Sequence, residues 1–225
     1  MNLILFGAPG AGKGTQSSFL MERFHIPAIA TGDILRAQRR AGTSLGNEVK
    51  GFMDRGELVP DPLMIDIIRE RLQQADARSG FLLDGFPRTV PQAEALDGML
   101  AELGRQLDAV LYLRVSRQAL IDRLAHRYTC RNCESVYTFT PQQAKNLPRC
   151  EKCGGQLYQR PDDQPDVVAR RIDVFLHHTA PLIDYYKAKQ KLENIDGQMS
   201  IEEVREDIGK RLAALDGARR PVAGA

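Results

Sequence analysis

Hydrophobic positions along the chain fall into two kinds of stretch. Short continuous apolar runs alternate with longer segments in which apolar residues recur every three to four positions. Asn2 to Phe6 is such a run and stops at Gly7; Gly80-Phe-Leu-Leu-Asp84, Ala109-Val-Leu-Tyr-Leu113 and the shorter Leu192 to Ile195 are others. Unbroken runs of this length read as strands buried on both faces. Between them, helical spacing follows Thr15, with Phe19, Leu20 and Phe24 as core candidates. It recurs from Asp61-Pro62 to about Ala75, from Thr89 to about Leu103, from Ser116 to His126, and as one long helix from Pro165 to about Lys191. Thr31-Gly32-Asp33 offers capping side chains ahead of Ile34 and Leu35. Gly42, Gly46, Gly51 and Gly56 then punctuate short helices, and Ser200-x-x-Glu203 reads as a capping box on a final helix. Arg219 to Ala225 reads as a loose tail.

Strands alternating with helices predict an α/β fold, a parallel sheet covered by helices on both faces. Such sheets bind ligands beyond the carboxyl ends of their strands, where the glycines after Phe6 and the carboxylate of Asp84 both fall. Two stretches break the rhythm, roughly 31–60 and 127–163, and read as insertions on one core.

Gly7-Ala-Pro-Gly-Ala-Gly-Lys-Gly-Thr15 follows a strand and precedes a helix, the context of a phosphate-binding loop. Its glycines let successive N–H groups converge on one anion at the positive end of a helix dipole. Lys13 adds a charge near the terminal phosphates. The usual Ser or Thr after the lysine is replaced by Gly14, with Thr15 next. A solvated glycine-rich turn is the plainer alternative. Asp84, ending an apolar strand, is a candidate to hold Mg²⁺ through water, or else a loop carboxylate.

Cys130-x2-Cys133, sixteen residues and Cys150-x2-Cys153 have tetrathiolate spacing, which suits a closed structural Zn²⁺ site. A redox pair, a disulfide frame and an iron–sulfur site are the alternatives. Residues 126–160 hold six Lys/Arg and two Asp/Glu, against a net charge of +2 for the whole chain. With Tyr128, Tyr137, Phe139 and Tyr158 interspersed, that segment also resembles a nucleic-acid-binding ribbon. The near-neutral total argues against a global field for polyanions or membranes. The 43% hydrophobic and 27% charged content is that of a globular protein. The Met1–Phe6 run is too short for a signal-peptide core, and a cytoplasmic protein is expected.

Cations are unevenly chosen: 23 arginines against 8 lysines. Arginine forks suit phosphate oxygens, and Arg36, Arg88, Arg123, Arg127, Arg160 and Arg171 lie near strand ends or in the insertions. Arg123 and Arg127 are spaced to share a helical face. Taken singly, each is more ordinary as a solvated surface residue. His177-His178 reads as a solvated or partly packed pair and Tyr185-Tyr186 as core.

Four motifs in order make the chain resemble an adenylate kinase of the long-lid, zinc-bearing type. They are Gly7 to Gln16 with its Gly14, Thr31-Gly-Asp-Ile-Leu-Arg36, Gly80 to Thr89 with Gln92, and Arg160-Pro-Asp-Asp163. The resemblance runs from Met1 to about Leu215. It implies reversible, Mg²⁺-dependent transfer from ATP to AMP to give two ADP, by a monomer without nucleic-acid or membrane partners. It implies a core of 1–29, 60–125 and 164–215, an AMP-binding insertion of 30–59, a zinc lid of 126–163 and a tail of 216–225. Donor contacts fall on Gly10, Ala11, Gly12, Lys13, Gly14, Thr15, Arg123, Arg127, Val136, Tyr137 and Met199. Acceptor contacts fall on Thr31, Arg36, Glu57, Leu58, Val59, Gly85, Phe86, Pro87, Arg88, Gln92, Arg160 and Arg171. Catalytic roles fall on Lys13, Arg88, Arg127, Arg160 and Arg171, with Cys130, Cys133, Cys150 and Cys153 on zinc and Asp84 on magnesium. Another nucleoside monophosphate kinase, acting on UMP or CMP or using GTP, is the nearest rival; a nucleotide-regulated nucleic-acid binder is the rival outside enzymes.

Overall fold

The structure, a computed structural model, describes residues 1–219. In chain order it contains β1 (Asn2–Phe6), α1 (Lys13–Phe24), β2 (Ala28–Ala30), α2 (Thr31–Arg40), α3 (Ser44–Arg55), α4 (Asp61–Leu72), β3 (Phe81–Asp84), α5 (Val90–Glu102) and β4 (Ala109–Arg114). There follow α6 (Arg117–Ala125), β5 (Arg127–Cys130), β6 (Val136–Thr138), α7 (Pro141–Ala144), β7 (Leu157–Tyr158), α8 (Pro165–Val174), α9 (Pro181–Ala188), β8 (Leu192–Asp196) and α10 (Ile201–Arg219).

The main sheet has the order β2-β3-β1-β4-β8 and is parallel throughout. Leu3, Ile4 and Leu5 at its centre are at most 1% exposed, which is why β1 reads as an unbroken apolar run rather than an alternating one. Each such side chain contributes about 1.5–3 kcal/mol by leaving water. Helices flank the sheet: α1 packs on β1 and β3, α10 on α1 and β8, and α9 on β8 and α5. Register sets the site. Asp84 pairs with Ala30 on one side and Leu5 on the other, so Thr31, Asp84 and the loop after Phe6 emerge side by side.

A second sheet of order β6-β5-β7 is antiparallel and lies within 126–163. Its small core comprises Cys130, Cys150 and Leu157, with Tyr128, Tyr137 and Phe139 packed against it.

The structure departs from the sequence reading at several points. The long helix expected over Pro165–Lys191 is two helices joined by a wide turn at Phe175–Thr179. Pro181 lacks an N–H and its ring crowds the preceding turn; Ala180 N–H reaches back five residues to Phe175 O at 2.8 Å. Arg123 and Arg127 do not share a helical face, because α6 ends at Ala125 and Arg127 opens strand β5. Thr31 does not cap α2: it is the first helical residue, and its hydroxyl donates instead to Gly85 O at 3.0 Å. The α4 helix ends at Leu72 rather than about Ala75, with a separate turn at Ala75–Ala77. Of the expected tail, 216–219 continue α10 and 220–225 lie outside the described residues. The Ser200–Glu203 capping box is formed, with Glu203 N–H on Ser200 Oγ and Ser200 N–H on Glu203 Oε2.

Candidate active site

The loop after β1 is built for close approach. Gly10 has φ +85 and a side chain there would meet Leu124 Cγ at 2.9 Å; Gly12 has φ +95 and serves as the N-cap of α1. No side chain caps this helix and its first turn holds no acid, so its free N–H groups are available to an anion. Lys13 folds back on the loop, its Nζ donating to Gly7 O at 2.9 Å and Ala8 O at 3.2 Å. Burial lowers its pKa to about 8, with Arg88, Arg171 and Arg127 pushing the same way and Asp84 opposing. Burial raises the Asp84 carboxyl, against the pull of Lys13 and Arg88.

Two chambers adjoin here. One, of about 590 Å³, is lined by the loop (Gly7, Pro9, Lys13), Phe86, Arg88 and Arg171. The other, about 650 Å³, is lined by Thr31, Arg36, Leu58, Val59, Arg88 and Gln92 among others. They share Gly56, Leu58, Gly85, Arg88 and Arg171. Arg88 is anchored at both ends, its Nε donating to Gly85 O at 2.9 Å and its carbonyl accepting from Thr179 Oγ1 at 2.9 Å. The cleft walls, then Arg171, lower the pKa of the Arg88 guanidinium.

Asp162 and Asp163 organise the remaining cations. Asp163 is 0% exposed; it accepts from Arg127 Nε at 2.8 Å, from Arg127 Nη2, and from Arg171 Nη1 at 3.1 Å. Arg171 also donates to Asp162 O at 2.7 Å. Burial would raise the Asp162 carboxyl, but Arg171, Arg127 and Arg160 outweigh it and hold it low. Arg160 is 9% exposed and donates from Nε to Thr129 Oγ1 at 2.9 Å. Burial, Arg36 and Arg127 together lower its pKa. Cations that depress one another in this way form a concentrated positive field, which a polyphosphate would neutralise.

Of the six arginines singled out in the sequence, Arg36, Arg88, Arg127, Arg160 and Arg171 therefore converge. Arg123 instead donates to Gly197 O at 2.9 Å, and a side chain on Gly197 would come within 3.4 Å of Ala11 O in the loop. Glu57 spends its carboxylate on Arg55 Nε at 2.9 Å and on Arg170. Phe86 and Pro87 wall the first chamber. Ala11 is buried, and Gly14 and Thr15 are exposed on the first turn of α1. Met199 packs at the edge of the main core. Val136 is 52% exposed, while the Tyr137 hydroxyl lies 3.2 Å from Cys150 Sγ. The sequence reading assigned no role to Asp61, Asp162, Asp163 or Thr179. Only the acidic pair carried a signal, two carboxylates beside Arg160.

The four cysteines are free thiols whose Sγ atoms all lie within 4.8 Å of one another. Cys130 and Cys153, and Cys133 and Cys150, stand 3.4 Å apart. Thiolates on a tetrahedral metal stand about 3.8 Å apart for bonds of about 2.3 Å, so the donor set fits a closed metal site. Backbone turns preset it: Glu134 N–H donates to Cys130 O and Gly154 N–H to Cys150 O. An ion pair between Arg40 of α2 and Glu134 joins this knuckle to the first insertion.

A parallel sheet, a glycine-rich loop at a helix N-terminus and arginines around two joined chambers define a phosphate-loop phosphotransferase. A family model described as adenylate kinase matches residues 5–191. Similar proteins include the adenylate kinase of Methanocella arvoryzae, 51% identical over 217 residues, and that of a Geobacillus species (strain WCH70), 49% identical over 217 residues. That of Bacillus licheniformis is 50% identical over 218 residues. Each alignment covers 96% of this chain and 100% of the relative. The chain belongs to the adenylate kinase family. Among the described residues no helix is long and apolar enough to cross a membrane.

Proposed function

We propose that the chain transfers the terminal phosphoryl group of ATP reversibly to AMP, yielding two ADP. The observation that carries this reading is the pair of adjoining chambers sharing Arg88 and Arg171, with Lys13 at one end and Arg36 at the other. Phosphoryl transfer needs alignment, exclusion of water and charge neutralisation rather than covalent help from the protein.

In this reading the backbone from Gly10 to Thr15, with Lys13, holds the donor phosphates, and Arg123, Val136, Tyr137 and Met199 contact the donor. Thr31, Arg36, Glu57 to Val59, Gly85 to Arg88 and Gln92 hold the acceptor. Arg88, Arg127, Arg160 and Arg171 grip the oxygens on which charge develops. Segments 30–59 and 126–163 close over the two nucleotides, which keeps water from the transferring group until both are bound. When bound with the donor, Mg²⁺ supplies further charge neutralisation, and Asp84 would hold it through water. Cys130, Cys133, Cys150 and Cys153 would hold a structural Zn²⁺ that gives the small lid its folding energy. A cytoplasmic monomer without nucleic-acid partners completes the reading.

The test is an ADP assay with ATP and each nucleoside monophosphate in turn, with metal content measured on the same sample. Activity confined to UMP or CMP, or to GTP as donor, would move the assignment to a sister kinase. A salt-sensitive nucleic-acid complex without ADP formation would end it.

A further inference from the structure

The two ends of the Gln92 amide are told apart by its neighbours. Oε1 accepts from the backbone N–H of Arg88 at 2.8 Å, and Nε2 donates to Asp61 Oδ1 at 2.6 Å. A backbone N–H only donates and an ionised carboxylate only accepts. Rotating the amide by half a turn would set donor against donor and acceptor against acceptor. The orientation that is ambiguous for most glutamines is thus decided here by chemistry. Gln92 is 2% exposed and lines the second chamber beside Thr31, Leu58 and Val59. One Nε2 hydrogen and one Oε1 lone pair remain for a ligand.

Asp61 is itself held. It sits between Pro60 and Pro62 at the start of α4, and its Oδ2 accepts from Thr89 Oγ1 at 2.8 Å. Thr89 in turn caps α5, its hydroxyl accepting from Gln92 N–H at 3.3 Å. Asp61, Thr89 and Gln92 therefore close a ring in which every donor meets an acceptor, with Asp61 behind the residue that faces the chamber.

We propose that Asp61 is a positioning residue for base selection, locking the Gln92 amide in the orientation that suits a 6-aminopurine and opposes a 6-oxopurine. The inference rests on reading the second chamber as the acceptor site. A 6-aminopurine presents an unprotonated ring nitrogen beside an exocyclic N–H, whereas a 6-oxopurine presents a ring N–H beside a carbonyl. Gln92 can pair with the first edge as it stands and with the second only if inverted. With the phosphate anchored at Arg36 and Arg88, the base cannot turn over to compensate. A polar site left mispaired on one ligand discriminates far better than an apolar wall does.

The experiment compares kcat/KM for AMP and for IMP, with ATP as donor, in the native chain and in Asp61→Asn. Asparagine keeps the shape and can present either an oxygen or an NH₂, so the carboxylate no longer forbids the inverted amide and only the Arg88 N–H still opposes it. The AMP-to-IMP ratio should fall by about tenfold, chiefly through the monophosphate KM, with the KM for ATP unchanged. An unmoved ratio, or equal losses for both acceptors, overturns the proposal. Thr89→Val, which frees Asp61 Oδ2, should lower the ratio by less; no change there while Asp61→Asn merely unfolds would also count against it. In the nucleotide-free protein, the Gln92 side-chain amide should give a resolved, slowly exchanging pair of NMR signals. Exchange as fast as for exposed glutamines overturns the lock directly. A native chain that makes no ADP from ATP and AMP defeats the assignment of the chamber, whereas retained activity with an unmoved ratio defeats only the role of Asp61.

Discussion

Arg171 Nη1 lies 3.1 Å from Asp163 Oδ1, inside a carboxylate that is 0% exposed and also takes two nitrogens of Arg127. One guanidinium comes from α8 and the other from β5 of the small sheet. A buried anion thus fixes the relative position of two cations from separate parts of the fold. Arginine forks free to swing would lose their orientation, and orientation is most of what they supply.

Asp163→Asn is therefore expected to keep the shape of this junction while losing its charge. We expect kcat to fall by about ten- to a hundredfold, with a smaller rise in the KM values. Steady-state kinetics in both directions check this. A change confined to KM would mean that Asp163 serves ground-state binding alone.

Lys13 gives a pH signature. Its ammonium titrates near 8 in the nucleotide-free protein, lowered by burial and then by Arg88, Arg171 and Arg127. Between about pH 8 and its unfolded value of 10.5, the unfolded chain binds more protons at this residue. This group thus makes stability rise with pH across that window and costs stability in full below it. A bound polyphosphate restores the charge. Nucleotide binding at about pH 8.5 should take up a sizeable fraction of a proton, and at about pH 6.5 almost none from this residue. Calorimetry in buffers of differing ionisation enthalpy measures the uptake, and Lys13→Met should abolish it.

Removal of the metal proposed for the four cysteines should act locally. The small sheet has only Cys130, Cys150 and Leu157 as its buried apolar core, too little to fold alone. A chelator should leave the main sheet protected while amides of β5, β6 and β7 exchange freely, with kcat falling as the lid loosens. Hydrogen exchange read by mass spectrometry separates the two regions. Loss of the chemical step with the small sheet still protected would place the metal in the chemistry instead.

How much of this was legible in the chain depended on whether a feature is local. The unbroken apolar runs of β1, β3 and β4 and the loop between Gly7 and Thr15 announce themselves in their own residues, as do the paired cysteines. By contrast, β2 is three residues long, Ala28–Ala30, and exists through its pairing with β3; nothing in Ala-Ile-Ala specifies a strand. Arg127 left the helix of Arg123 because its backbone pairs with Thr138 eleven residues on. Pro181 carries the break of the long helix in its own residue type, but the width of the turn depends on packing. The ties from Asp61 to Gln92 and from Thr179 to Arg88 span 31 and 91 residues, and no periodicity encodes such contacts.

Gln16 tests the opposite of function. On α1 it is 3% exposed, its Oε1 has no partner among the described residues, and its Nε2 reaches Ile201 O only at 3.5 Å. A buried carbonyl without a donor carries most of its desolvation cost unrelieved, while an apolar side chain of similar volume carries none. Gln16→Leu should therefore stabilise the chain, raising Tm by about 2–4 °C for each kcal/mol recovered. Thermal unfolding followed by circular dichroism checks it. Ser17 Oγ on the same helix is likewise buried and without a partner among the described residues, so Ser17→Ala should move Tm in the same direction by less, since the smaller hydroxyl leaves a small void when removed. A fall in Tm for Gln16→Leu would mean that an internal water satisfies Oε1, and that the glutamine contributes to the packing of α1 on α10 rather than costing it.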